Sequence, residues 1–188
     1  TEGTRRFAVL IPTTGAVLHL RVLVPRPGLP HGAAFAEGDY RPLPLSTDYR
    51  ALAGPEGPIA RHLGGPLVPH ELRLSGAPDS GRSWEAPVVI AHLLLADGWT
   101  LVQADDDPDL TVWATGAVDL DLRLLEGDYA LGRKVDVSAP SLTGSVLAVL
   151  PPDQEQSAAK SALSALGADV KTPKTLKNIV PTSDAPAL

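Results

Sequence analysis

Residues 71–95 have the sequence ELRLSGAPDSGRSWEAPVVIAHLLL, which joins a strand, a loop and a helix in one short stretch. Residues 70–74 are typical of a β-strand, and the Gly, Pro and Ser residues that follow are typical of a loop. The apolar run after Ser83 predicts a helix that is buried nearly all round. A serine at the start of a helix either caps the backbone N–H groups or acts as a nucleophile beside a site that stabilises negative charge. The role of Ser83 therefore decides between a structural and a catalytic interpretation.

Composition indicates one globular domain. The chain has 188 residues, of which 44% are hydrophobic and 20% are charged. This content is sufficient for a buried core. We predict a single domain over residues 6–180 and a flexible tail over residues 181–188. The formal net charge of -6, with no cluster of Lys and Arg, argues against a nucleic-acid partner.

Several classes of site are excluded by residue content. The chain has no cysteine, which excludes disulfides, zinc–thiolate sites, iron–sulfur clusters and a cysteine nucleophile. No phosphate-binding loop or dinucleotide fingerprint is present, so we expect no cofactor. The acidic run Asp105 to Asp109 lacks the ligand spacing of a calcium loop, and the dispersed histidines, including His92 on the apolar helix, lack ligand spacing, so we expect no metal. Trp84 and Trp113 are expected in the core, whereas Trp99 is a candidate for an exposed contact surface.

The apolar runs are too short to cross a bilayer, and no signal segment opens the chain. We therefore expect a cytoplasmic protein without a membrane partner. The abundance of Ala, Leu, Pro, Gly and Arg is typical of a GC-rich, bacterial genome. Because the first residue is not Met, two alternatives are open: removal of an N-terminal tag, or excision from a longer parent protein with flanking domains.

Hydrophobic patterns predict an α+β fold in which an N-terminal β-hairpin and a mixed sheet pack with helices. The hairpin covers residues 6–12 and 16–24, with Thr13-Thr14-Gly15 as its turn. The remaining predicted strands are 40–45, 70–74, 110–114, 117–125, 145–150 and 168–171. The predicted helices are 59–63, the helix that Ser83 begins and Gly98 ends, 128–134, 154–166 and a terminal turn from 175 to 180.

This order of elements and several short strings resemble the proteolytic domain of Lon-type serine peptidases. In that family a strand is followed by a loop of the Asp-Gly-Pro-Ser-Ala-Gly type, which places the nucleophile at the start of a hydrophobic helix. Residues 79–85, DSGRSWE, stand at this place. The family continues with a strand of the Thr-Gly-Glu-Ile type, and residues 114–120, ATGAVDL, match it. The resemblance extends over residues 6–180.

The resemblance implies a Ser–Lys dyad in which the lysine accepts the serine proton, with Ser83 as nucleophile and Lys134 as base. The family lysine lies in a Gly-Gly-Leu-Lys-Glu-Lys type segment, and here the corresponding stretch is EGDYALGRK, residues 126–134. The best alignments put Leu131 or Gly132 at the position of the base, two or three residues before Lys134. Such a shift turns a helical side chain by about 200–300°. In addition, Trp84 could crowd a substrate, and Glu85 could keep Lys134 charged.

These departures lead to three hypotheses. The first is a non-catalytic Lon-like domain, a pseudoprotease that serves as a scaffold or protein-interaction module in a larger protein or complex. The second is an active Ser–Lys dyad peptidase that uses Ser83 and Lys134. The third is an unrelated α+β binding domain, which would be indicated if residues 110–125 did not share a sheet with residues 70–74.

Overall fold

The computed structural model describes residues 5–79 and 81–180. Ser80 and the predicted tail, residues 181–188, lie outside this range. The strands are β1 (Arg6–Pro12), β2 (Val17–Pro25), β3 (Ala33–Ala36), β4 (His70–Leu74), β5 (Thr100–Leu101), β6 (Leu110–Ala114), β7 (Val146–Val149) and β8 (Asp169–Lys171). The α-helices are α1 (Ser46–Ala53), α2 (Pro58–Leu63), α3 (Glu85–Ala96), α4 (Leu131–Ser138) and α5 (Gln156–Ala165).

The described residues form one mixed sheet of eight strands, which confirms the predicted α+β class. Its order is β3-β4-β2-β1-β6-β7-β8, and the short β5 also pairs with β1. The hairpin pair β1 and β2 is antiparallel, as is the pair β2 and β4. The pairs β1–β6, β6–β7, β7–β8 and β3–β4 are parallel. Strands β4 and β6, which the sequence associates with the serine loop and the Thr-Gly string, therefore share one sheet.

Apolar side chains cover both faces of the central strands. In β1, Val9 and Ile11 belong to the larger core with helix α3, whereas Leu10 belongs to a second core with α4 and α5. In β6, Val112 packs in the first core and Trp113 in the second. Burial on both faces explains why these strands are continuous apolar runs rather than alternating ones.

The secondary structure predicted from the sequence is wrong at several places. Residues 117–125 do not form a strand and contain isolated bridges, one of them between Val118 and Leu124. The cause is the Asp119 carboxylate, which accepts the backbone N–H groups of Asp121 and Arg123 and closes a turn. The alternation of apolar and polar residues there reflects a turn with one buried side.

The expected strand over residues 40–45 is also absent. The edge strand on this side of the sheet is β3, which begins seven residues earlier in the chain, and it is followed by α1, a helix that the sequence analysis does not predict. Leu43 donates its N–H to the Ala34 carbonyl at 2.7 Å, and the Ser46 hydroxyl bonds both backbone groups of Ala34. Residues 40–46 therefore cover the edge of β3 through isolated hydrogen bonds to Ala34 instead of pairing with it as a strand.

Two further expectations are corrected. Residues 175–180 consist of a β-bridge at Thr175 and a non-helical turn, in place of the expected helical turn. Trp99 is 7% exposed and packs edge-on against Phe7, so it marks no contact surface. Trp84 and Trp113 are buried in the core as predicted. In the acidic run, Asp106 accepts the backbone N–H of Gln103 and closes a local turn, whereas Asp109 accepts the N–H of Arg6 and fixes the run to the start of β1.

Candidate functional site

Ser83 lies in the loop between β4 and α3, half-buried and two residues before the helix begins. The residue at the cap position is Trp84, and no side chain forms a capping hydrogen bond with α3. The interpretation of Ser83 as a capping serine is therefore wrong. The helix starts later than the sequence pattern predicts because residues 83 and 84 belong to a turn, closed by the Glu85 N–H bond to the Arg82 carbonyl.

Two backbone hydrogen bonds fix this loop to the end of strand β6. Gly116 donates its N–H to the Ser83 carbonyl at 2.9 Å, and the Gly116 carbonyl accepts the Ala86 N–H at 2.9 Å. These bonds hold Ser83 beside the Thr-Gly string that follows β6.

Gly116 is required at this point for steric reasons. Its φ is +137°, and a Cβ there would lie 3.0 Å from Pro151 Cβ and 3.2 Å from Leu124 Cδ2. Any side chain would combine an unfavourable backbone conformation with close contacts. The glycine lets the strand end approach the serine loop.

Lys134 lies on α4 and is 4% exposed. Its Nζ donates to Thr115 Oγ1 at 2.8 Å and lies 5.8 Å from the centre of the Tyr129 ring. Burial lowers the pKa of Lys134 below its ordinary value of 10.5, and the negative charges of Asp79 and Asp153 oppose that shift. Burial is the larger of these influences, so the neutral amine is favoured relative to an exposed lysine.

The inward orientation of Lys134 follows from where α4 begins. The helix starts at Leu131 rather than near Asp128, because Ala130 adopts a left-handed conformation with φ +53°. Its buried face then consists of Leu131, Lys134, Val135 and Ser138, which are spaced by three and four residues as on one side of a helix. The shift of two or three residues relative to the family pattern therefore leaves Lys134 on the buried face of α4.

Ser83 and Lys134 line one cavity of about 250 Å³. The other lining residues are Thr14, Asp79, Gly81, Arg82, Asp128, Tyr129 and Ala130. Among the hydrogen bonds of residues 5–79 and 81–180, none joins Ser83 directly to Lys134. The structure thus brings the two predicted site residues together in one cavity, with the lysine amine held by Thr115.

Trp84 and Glu85 do not interfere in the way the sequence suggests. Trp84 is 1% exposed and packs against Tyr49, with ring centres 6.5 Å apart. Glu85 Oε2 pairs with Arg82 Nε at 3.0 Å, and Glu85 Oε1 accepts the Val118 N–H at 3.0 Å. Trp84 therefore belongs to the core, and Glu85 is occupied by Arg82 and the backbone rather than by Lys134.

The loop also offers backbone donors next to the serine. Neither the Ser83 N–H nor the Trp84 N–H donates to another residue in the described part of the chain. These groups stand at the N-terminal side of α3, where the helix dipole favours negative charge. The sequence analysis did not identify Thr115 as the partner of Lys134. Burial of Lys134 itself could have been recognised, because residues 131, 134, 135 and 138 are spaced as on one face of a helix.

Comparison with protein-family models and with curated proteins gives no match. Within residues 5–79 and 81–180, no group of three or more His, Asp or Glu side chains is arranged to hold a metal ion. None of the helices in that part of the chain has both the length and the apolar content needed to cross a membrane.

Proposed function

We propose that this chain is a Ser–Lys hydrolase of the Lon type that cleaves peptide bonds. The observation that carries the proposal is the buried Lys134 amine, which shares a cavity with the half-buried Ser83 hydroxyl. We assign Ser83 as the nucleophile and Lys134 as the general base. A cytoplasmic location is part of the same proposal.

The environment of Lys134 suits a base. A lysine accepts a proton only when it is neutral, and burial favours the neutral form. In the described part of the chain no carboxylate lies within ion-pair distance of the Lys134 amine; its hydrogen bond is to the neutral Thr115 hydroxyl. This hydroxyl orients the amine without fixing a positive charge on it.

In the proposed reaction the Ser83 Oγ attacks the carbonyl carbon of a peptide bond, and Lys134 Nζ takes the hydroxyl proton. The C–N bond then breaks, and Lys134 returns the proton to the leaving amine. Water hydrolyses the resulting acyl-enzyme by the same two proton transfers. The bond between Ser83 and Lys134 forms on substrate binding, since catalytic hydrogen bonds commonly tighten only at that stage.

The tetrahedral intermediate carries a negatively charged oxygen. The N–H groups of Ser83 and Trp84 are available to donate to it, and the positive end of α3 favours it electrostatically. The bonds of Gly116 to this loop keep these donors in a fixed position.

Hydrolysis of a fluorescence-quenched peptide library by the purified chain tests the proposal. Ser83→Ala and Lys134→Met, which preserves side-chain volume, are each expected to lower kcat/KM by about 10²–10⁴-fold or more. Ser157→Ala and Lys160→Ala on the exposed side of α5 are matched controls and should retain activity. Activity that survives Ser83→Ala would contradict the assignment.

The pH profile adds a second test. Because the base must be neutral, kcat/KM should rise with pH through a single ionisation with a pKa below the ordinary lysine value of 10.5. A rise centred at or above that value would contradict the role of the buried amine.

A non-catalytic scaffold or protein-interaction module in a larger protein is the second candidate function. It is favoured by the bond from Lys134 to Thr115, which gives the lysine a structural role without Ser83. In that case no peptide is cleaved in a Ser83-dependent manner, while Lys134→Met changes the free energy of unfolding alone.

A further inference from the structure

A second cavity adjoins the cavity of Ser83 and Lys134. It has a volume of about 380 Å³ and shares Asp79 and Gly81 with its neighbour. Its apolar walls are formed by Leu43, Pro44, Leu45, Ala77, Pro78 and Trp84. Because Trp84 follows Ser83 directly in the chain, this apolar cavity begins beside the proposed nucleophile.

The charged side chains that line the apolar cavity are both acidic. Asp48 is exposed on the first turn of α1 and makes no ion pair or hydrogen bond through its carboxylate with another described residue. Asp79 Oδ2 accepts the backbone N–H of Thr14 at 3.0 Å and its hydroxyl at 3.2 Å. The Asp48 carboxylate and the second oxygen of Asp79 therefore remain available to a ligand.

The neighbouring cation Arg82 forms no ion pair with Asp48 or Asp79. Arg82 feels the charge of Asp48, but its guanidinium pairs with Glu85 and donates to the Val118 carbonyl at 2.8 Å. It lines the two neighbouring cavities and not the apolar one. The apolar cavity thus combines hydrophobic walls with two carboxylates that form no ion pair with another described residue.

We propose that the apolar cavity binds a lysine or arginine side chain of the substrate, next to the bond that is cleaved. The inference rests on the proposed hydrolase function, for which it names the substrate class as basic peptides. Long basic side chains bury their aliphatic stems against apolar surface while the charged end stays at a polar rim. Leu43 and Pro44, which are accessible to solvent, suit the stem, and Asp48 suits the charged end.

Other side chains fit the cavity less well. An acidic side chain would meet Asp48 and Asp79 with like charge. A purely apolar side chain would desolvate these carboxylates without giving them a partner, which is unfavourable. The carboxylates therefore favour a positively charged group at the end of the bound side chain, and the apolar walls favour a long aliphatic stem.

Two matched pairs of peptides test the inference, and in each pair one peptide has lysine and the other has norleucine beside the expected cleavage point. The variable residue precedes the cleaved bond in one pair and follows it in the other. Their kcat/KM values are measured with the wild-type chain. Their affinities for the inactive Ser83→Ala variant are measured by calorimetric titration. We expect the lysine peptide of one pair to be preferred about tenfold in both measurements. Asp48→Asn should reduce this preference severalfold, whereas Asp169→Asn, at an exposed position on β8, should retain it.

The two measurements separate the inference from the function on which it rests. Equal affinity for the lysine and norleucine peptides, or a preference unchanged by Asp48→Asn, would overturn the inference even if both peptides were cleaved. Binding that favours lysine, with no cleavage by the wild-type chain, would support the basic subsite and reject the hydrolase assignment.

Discussion

The Nζ atom of Lys134 donates a hydrogen bond to Thr115 Oγ1 at 2.8 Å inside the protein. Thr115 immediately precedes Gly116, which binds the Ser83 carbonyl. One dipeptide at the end of β6 therefore holds both residues of the proposed dyad, the lysine through a side chain and the serine through the backbone.

Thr115→Val should destabilise the protein, because it leaves the buried Lys134 amine without its hydroxyl partner. We expect a loss of about 1–3 kcal/mol in the free energy of unfolding, measured by urea denaturation. Thr115→Ser keeps the hydroxyl and should restore much of this loss. Thr111→Val is the matched control in the same strand, since the Thr111 hydroxyl donates to no other described residue. Equal effects at positions 111 and 115 would argue against the Lys134 bond as the cause.

Gly116→Ala should destabilise the protein and weaken the hold on Ser83. The added Cβ would lie 3.0 Å from Pro151 Cβ at a φ of +137°. Strain of this kind costs about 1–3 kcal/mol, measurable as a lower Tm. Gly15→Ala has open space around the new methyl group and should change the Tm little. A Gly116→Ala variant with the wild-type Tm would refute this steric account.

Glu85→Ala should destabilise more than Glu85→Gln. Glu85 is 3% exposed, and its Oε1 accepts the buried Val118 N–H. Alanine leaves that N–H without an acceptor, at a cost of about 1–3 kcal/mol, whereas glutamine retains an amide oxygen in its place. Urea denaturation of both variants measures the difference. If glutamine were as harmful as alanine, the charge pairing with Arg82 would be the dominant contribution.

Acid should destabilise the fold through His92. Burial lowers the pKa of His92 from 6.5 to about 3, and its Nε2 lies 2.9 Å from the Tyr49 hydroxyl. The unfolded chain therefore binds a proton that the folded chain does not between pH 6.5 and about pH 3. The contribution of His92 to the free energy of unfolding is fully present above pH 6.5. It falls by about 1.4 kcal/mol per pH unit below that value.

Urea unfolding at several pH values tests whether the free energy of unfolding falls as the pH is lowered. The pKa of His70, whose ring contacts His92 at 4.7 Å between centres, is lowered as well and adds to the slope. His92→Gln, which still offers an acceptor to Tyr49, should flatten the pH dependence in this window. His31→Gln, at an exposed position, should leave it as in the wild type. Stability that rises as the pH falls below 6.5 would contradict burial of a neutral His92.

The parts of the fold that the sequence predicts are those with strong hydrophobic patterns. The residues of β1 and α3 are buried on nearly every side. Their continuous apolar runs can therefore be recognised from the sequence without knowledge of long-range contacts. Residues 117–125 have an equally regular pattern, but the Asp119 carboxylate closes a turn there. A competing side-chain bond of this kind cannot be recognised from alternation alone.

The candidate site was predicted in part. The sequence identifies Ser83 and Lys134 as residues of interest but leaves Ser83 open between a cap and a nucleophile, because a shift of two residues in the helix start cannot be read from propensity. The position of Lys134 depends on the left-handed Ala130, a conformation that an alanine seldom adopts. Its partner Thr115 lies 19 residues earlier in the chain, and that contact is set by the sheet rather than by local sequence.

Strand β6 lies between β1 and β7, and the Thr115–Gly116 dipeptide that follows it comes after Ser83 and before Lys134 in the chain. During synthesis, a nascent chain that ends before β6 carries Ser83 without the residues that hold it in the cavity. The proposed nucleophile thus emerges from the ribosome well before its base, and a growing polypeptide at that stage lacks the proposed dyad.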